Sequence, residues 1–183
     1  MENRKIKIYL SGFMGVGKSR IGRTLRDKTG FQFYDSDRVV EEKAAKTISR
    51  IFAEDGEDTF RELEKQAIKE LARKEETVII ALGGGAVLIE ENRKIMRESG
   101  YVIYLKSSAE AIYERVKHKT HRPLLQVDGT ENVKEKVLHK IETMMNERDS
   151  LYEQADLVIE RDGMEAEEVA DKIIEFLHIK LTQ

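Results

Sequence analysis

Cysteine is absent from the 183 residues, which excludes disulfides, thiolate catalysis and Cys-ligated zinc or iron–sulfur centres. Proline occurs once, at Pro123, and no Gly/Ser/Pro-rich linker, internal repeat or low-complexity tract divides the chain. One domain over residues 1–183 is therefore expected, long enough to bury a real core. Long hydrophobic runs are missing as well. Val78 to Leu82 is typical, far short of the roughly eighteen residues a membrane span needs. The N-terminus opens with charged residues and then a strand pattern, with no cleavable signal visible. Neither sign of charge is in excess: 32 Lys and Arg stand against 35 Asp and Glu, a formal net charge of −3. That balance argues against a nucleic-acid backbone or an anionic membrane as the main partner. The expectation is a soluble, cytoplasmic monomer acting on small molecules.

With 40% hydrophobic and 37% charged residues, the composition is that of a globular protein. Ile6, Ile8 and Leu10 alternate with Lys5, Lys7 and Tyr9, a strand period that runs into a Gly-rich turn. Ile21 and Leu25 then mark a helix stopped at Gly30. Phe31 to Tyr34 reads as a short strand, and Phe60, Leu63, Ala67 and Leu71 recur at helical spacing over 57–75. Val78 to Leu82 is a continuous apolar run, the mark of a strand buried on both faces, and Tyr101 to Leu105 is similar. Ser107 with Glu110 predicts a capping box opening a helix over 109–116. Further helices are expected over about 132–148 and along the stripe Ala166, Val169, Ala170, Ile173, Ile174 and Leu177, separated by the strand Leu157 to Ile159. Strands alternating with helices predict a parallel sheet covered on both faces.

Gly12-Phe-Met-Gly-Val-Gly17-Lys18-Ser19 is a G-x-x-x-x-G-K-S placed between the first strand and the first helix. Its glycines let the backbone curl so that consecutive N–H groups cradle phosphates, with the positive end of the helix behind them. Gly15, Val16, Gly17, Lys18, Ser19 and Arg20 are the expected nucleotide contacts. Lys18, at an exposed phosphate site, reaches the β- and γ-phosphates, and the Ser19 hydroxyl ligates Mg²⁺. No Asn/Thr-Lys-x-Asp element is present to read guanine, and the candidate strand Ala81-Leu82-Gly83 lacks the terminal acid of a motor ATPase. A small-molecule or nucleotide kinase remains. Asp35-Ser36-Asp37 follows the second strand, where the carboxyl ends of strands line a ligand crevice. At strand spacing the two acids point the same way, one for a metal and one for a substrate hydroxyl. The alternative is a polar turn with Asp37 capping a helix. The four histidines show no metal-ligand spacing, and Met144-Met145 reads as core.

Together with the P-loop and Asp35-Ser36-Asp37, the chain carries Ile51-Phe52-Ala53-Glu54-Asp55-Gly56-Glu57, Phe60-Arg61-Glu62-Leu63-Glu64, Leu82-Gly83-Gly84-Gly85-Ala86, Arg122-Pro123-Leu124-Leu125 and Arg148-x-x-Leu151-Tyr152-Glu153. In this order, from about residue 5 to about 177, these resemble the shikimate kinases. The resemblance implies a nucleoside-monophosphate-kinase-like α/β fold, a three-layer α/β/α P-loop architecture on a five-stranded parallel sheet. It also implies substrate-binding helices over about 37–75 and a lid over about 113–130. The implied reaction is ATP-dependent phosphorylation of shikimate at its 3-hydroxyl, a step toward chorismate and the aromatic amino acids. By the same resemblance Asp35 supports Mg²⁺ with Ser19, and Asp37 contacts substrate hydroxyls. Arg61 and Arg148 hold the substrate carboxylate, which suits a guanidinium fork, and Gly83, Gly84 and Gly85 let the ring approach the backbone. Arg115 contacts the nucleotide, and the lid's Arg122 closes over the transferring phosphoryl group. A kinase for another polyol acid, such as gluconate, and a non-catalytic nucleotide sensor are the alternatives. The family usually has glycine near Ala45, and an alanine there predicts a different helix end.

Overall fold

β-Branched and aromatic residues dominate the segments that become strands. β1 (Lys7–Ser11), β2 (Gln32–Asp35), β3 (Val78–Ala81), β4 (Gly100–Lys106) and β5 (Leu157–Glu160) form one five-stranded sheet, entirely parallel, in the order β2-β3-β1-β4-β5. The computed structural model describes residues 5–118, 125 and 132–182. Successive residues of β1 serve opposite layers. Ile8 and Leu10 pack with Ile79, Ile103 and Leu105 under the helices α1 (Lys18–Thr29) and α8 (Ala166–Thr182). Tyr9 faces the other way, with Ile80, Val102 and Tyr104. That second face is covered by Ile68 and Leu71 of α4 (Glu57–Ala72), Met96 of α5 (Glu90–Ser99) and Tyr152 of α7 (Val133–Tyr152). All four residues of β3 are buried, as a strand covered on both faces requires.

Parallel strands put all their carboxyl ends on one edge, and the loops there carry the chemistry-bearing residues. Gly12 follows β1, Asp35 ends β2, Gly83 follows β3, Ser107 follows β4 and Arg161 follows β5. Two smaller clusters flank this edge. Val40 of α2 (Ser36–Ala44), Ile51, and Phe60 and Ala67 of α4 make one; Phe13, Ile112 and Val116 of α6 (Ala109–Val116) and Ile141 of α7 make the other. Met144 and Met145 pack against the latter. Between α2 and α4 the chain forms the short α3 (Ile48–Arg50) and one wide turn, closed by the Gly56 N–H on the Ile51 carbonyl five residues back at 2.9 Å.

Several expectations are corrected. The cap of α6 is Ser108, whose hydroxyl accepts from the Ala111 N–H at 3.2 Å; Ser107 is engaged with Asp162 instead. The second strand is shifted one residue, and α4 ends at Ala72 because Arg73 begins the turn into β3. α7 continues past Arg148 to Tyr152, since Tyr152 stacks on Tyr104 in the core at 4.9 Å and rewards the extra turn. α5 has no counterpart in the sequence reading: only Asn92 and Met96 of its ten residues are buried, too few to mark a helical stripe. Ala45 does adopt the left-handed conformation, at φ 50°, and terminates α2.

Candidate functional site

The site is built from two half-sites that meet at the glycine triplet. In the first, the loop after β1 turns into α1, and the Lys18 ammonium folds back to donate to the Gly12 and Phe13 carbonyls at 2.6 and 3.0 Å. Lys18 is only 9% exposed, so the expectation of an open surface lysine is corrected: the cation ties its own loop together. The Ser19 hydroxyl, one residue on, donates to Asp35 Oδ2 at 2.6 Å. These two hard oxygens fit a small divalent cation of the Mg²⁺ type, which takes few protein ligands and completes its shell with phosphate and water. Among the described residues no group of three or more acidic or histidine side chains offers a fuller cage.

Asp35 also caps α2, accepting the Asp37 N–H on Oδ1 at 3.2 Å. The inference that Asp35 and Asp37 point the same way as alternate residues of a strand is corrected here. β2 ends at Asp35 and Asp37 already lies in the first helical turn, so the two carboxylates diverge, one toward Ser19 and one toward Gly83. The capping role belongs to Asp35 rather than Asp37. Ser36, fully buried between them, holds the Gly83 N–H at 3.0 Å and ties the end of β2 to the end of β3.

The second half-site surrounds Gly83, Gly84 and Gly85. A Cβ at Gly83 would lie 2.6 Å from both Asp37 Oδ1 and Glu64 Oε1, and one at Gly85 would lie 2.5 Å from Arg61 Nη1. The triplet is glycine because charged side chains press on it from both sides. Gly84 backs onto the P-loop, where an added Cβ would be 3.2 Å from the Met14 nitrogen. From α7, Arg148 donates to the Gly84 carbonyl at 3.5 Å, beside the Tyr152 hydroxyl on the same oxygen. Arg148 is buried, with its guanidinium 5.7 Å from the centre of the Phe13 ring. Arg61 on α4 pairs with Glu57 at 2.9 Å and Glu64 at 3.4 Å. Two guanidinium groups from different helices thus flank one glycine turn, with the Asp37 carboxylate across it.

Sequence reasoning did not assign a role to Glu64. It is fully buried, and one of its oxygens has no hydrogen-bond partner. Burial pushes its carboxyl up to about 7; Arg61 and Arg148 pull it down, and Asp37 adds to the rise. The signal was present in Phe60-Arg61-Glu62-Leu63-Glu64, where Arg61 and Glu64 are three apart on one helix face.

The remaining expected residues divide. Arg115 donates to the Ser107 hydroxyl at 2.9 Å and pairs with Asp162 at 3.7 Å, on the edge where β4 and β5 end. Arg20 is exposed and pairs with Glu165, just ahead of α8, at 3.3 Å. Gly15, Val16 and Gly17 form the bend of the loop, with φ 83° at Gly15 and 102° at Gly17. Arg122 and Pro123 lie outside the described residues, as does most of the expected lid.

A family model described as shikimate kinase matches residues 14–178. A shikimate kinase of Thermodesulfovibrio yellowstonii is 42% identical over 167 residues, covering 91% of this chain and 92% of the relative. One from Legionella pneumophila strain Corby is 42% identical over 172 residues, covering 93% and 94%. Among solved structures, the shikimate kinase of Acinetobacter baumannii in complex with shikimate superposes with a TM-score of 0.87 at 35% identity, covering 96% of this chain and 94% of that one. With a phosphate-binding loop and a paired-arginine pocket joined at a glycine triplet, the chain belongs to the shikimate kinase family.

Proposed function

We propose that this chain transfers the γ-phosphoryl group of ATP to the 3-hydroxyl of shikimate, with the roles divided between the two half-sites. The observation that carries the substrate assignment is the convergence of Arg61 and Arg148, from α4 and α7, on the Gly83–Gly85 turn beside Asp37. Two guanidinium groups recognise one carboxylate by charge and by planar geometry, and the glycines let Arg61 and Asp37 approach the backbone of the turn. Asp37 accepts a hydrogen bond from the attacking hydroxyl, orients it and takes its proton. Lys18, already aimed along the loop, exchanges its carbonyl acceptors for phosphate oxygens. Ser19 and Asp35 would hold Mg²⁺, which when bound would supply charge neutralisation for the phosphates. Arg122, by its motif, closes over the transferring group, and Arg115 contacts the nucleotide. Catalysis of this kind consists mostly of positioning and charge neutralisation.

A single domain with a lid over about 113–130 suffices, because every proposed contact comes from one chain, and the enzyme works as a monomer. A cytoplasmic setting fits the ATP requirement, and no described helix is long and apolar enough to cross a membrane. The test is an ADP-release assay over shikimate, gluconate and related hydroxy acids. Turnover confined to shikimate supports the assignment. Preference for gluconate sinks the substrate, and ATP binding without turnover of any acid leaves a nucleotide sensor.

A further inference from the structure

Arg161, the first residue after β5, sends a guanidinium back into the P-loop. It is 8% exposed; Nη1 donates to the Val16 carbonyl at 2.5 Å and Nη2 to the Met164 carbonyl at 3.0 Å. Nε finds no acceptor. Among the described residues no carboxylate forms an ion pair with it. Asp162, next in the chain, is spent on Ser107, the Ser108 N–H and Arg115. Arg115 and Arg20 add like charge nearby, and Asp162 and Glu165 offset it only in part. A buried cation held by two carbonyls and no anion is costly unless its position serves something.

That position is set by peptide geometry. In the trans Val16–Gly17 peptide the C=O and the N–H point in opposite directions. Arg161 draws the Val16 oxygen to its own side and thereby turns the Gly17 N–H to the other. Gly17 fits this in two ways: its φ of 102° is open to glycine, and a Cβ there would stand 2.5 Å from Arg161 Nη1. Without the arginine the peptide is free to flip, which would present an oxygen where a phosphate needs a donor.

We infer that Arg161 is a positioning residue for the phosphate cradle, holding the Val16–Gly17 peptide so that the Gly17 N–H faces the nucleotide. The inference rests on the reading of residues 12–19 as a phosphate-binding loop. It makes the β5–α8 connection part of the nucleotide site through the backbone rather than through contact with the base.

The test compares wild type, Arg161→Met and Arg161→Lys by calorimetric binding of ADP and of inorganic pyrophosphate, with the ¹⁵N-labelled Gly17 amide followed by NMR. Arg161→Met should weaken both ligands by about 10- to 100-fold, the worth of one charge-assisted hydrogen bond. The KM for ATP should rise in parallel and that for shikimate stay within twofold. Arg161→Lys, which keeps the charge and one donor but not the fork, should fall between. The Gly17 amide shift on ADP binding should shrink in step. Unchanged affinities, a wild-type Gly17 shift, or loss of ADP binding with pyrophosphate unaffected would each overturn the inference. If Arg161→Met does not fold, as its melting curve will tell, Arg161→Lys decides by the same criteria. Wild type that binds neither ligand would instead overturn the phosphate-loop reading itself.

Discussion

Lys18 has a structural part beside its proposed chemical one. Its ammonium bonds two carbonyls of its own loop, so Lys18→Ala should abolish turnover and also lower stability by about 2 kcal/mol or more. Kinetics and a urea titration on the same variant measure both, and full kcat in a folded Lys18→Ala would contradict the kinase reading. The divergence of Asp35 and Asp37 separates two further variants. Asp35→Asn should raise the Mg²⁺ concentration needed for activity, whereas Asp37→Asn should cut kcat severely with ATP affinity little changed; identical Mg²⁺-dependent defects in both would show the division to be mistaken. Arg61 and Arg148 reach the same turn from different helices, so with the proposed roles removing either would leave a substrate carboxylate half neutralised. Arg61→Ala or Arg148→Ala should lower kcat/KM for shikimate by roughly 100-fold or more. Arg61→Lys should also be impaired, because an ammonium lacks the fork. Titration with ADP serves as the control and should barely change.

At the scale of elements, the end of α2 is the informative case. Ala45 stops the helix in a left-handed conformation at φ 50°, which costs an L-residue with a Cβ roughly 1 kcal/mol. Lys46 nearby is tied to Asp55 and Glu54, and Thr47 caps the next turn, so the surroundings hold Ala45 in place. Ala45→Gly should therefore stabilise the protein by up to about 1 kcal/mol, seen as a higher urea midpoint with unchanged slope. A lower midpoint would mean that the entropy lost by glycine outweighs the strain relieved. α1 presents the opposite situation: Gly30 ends it at φ 74° with its N–H on the Arg26 carbonyl at 2.8 Å, the stop that the sequence predicts.

For the whole molecule, Glu64 links the site to stability. Its carboxyl is raised from the ordinary value to about 7 by burial, with Asp37 adding and Arg61 and Arg148 opposing. The native state therefore holds this proton over a range where the unfolded chain has lost it. Its contribution to stability is full below about pH 4.5, declines as pH rises toward 7 and is constant above that. The span of the shift corresponds to about 3 kcal/mol. Glu64→Gln cannot titrate, so the stability of wild type relative to this variant should fall by about that amount between pH 4.5 and 8 in denaturant titrations. A flat difference would show that Glu64 keeps an ordinary pKa in the folded protein.

The sequence by itself determined the sheet, the P-loop and the kinase class. These rest on short-range patterns: period-2 alternation in β1, the unbroken apolar run of β3, and eight consecutive residues whose glycines let the loop curl. Arg61 by itself reads as a helix-surface charge, and only the resemblance to the shikimate kinases singled out Arg61 and Arg148 as a pair. Tertiary structure alone decided what depends on distant segments meeting. Ser36 reaches Gly83 across 47 positions and Arg161 reaches Val16 across 145. The Glu64 carboxyl is raised by burial, which no neighbour in the chain specifies. Asp37 turns away from Asp35 because β2 ends at Asp35 and Asp37 already belongs to the first turn of α2. Nothing local encodes the desolvation of a carboxyl or the capture of a carbonyl by a remote guanidinium, since both arise only when five strands bring their ends to one edge.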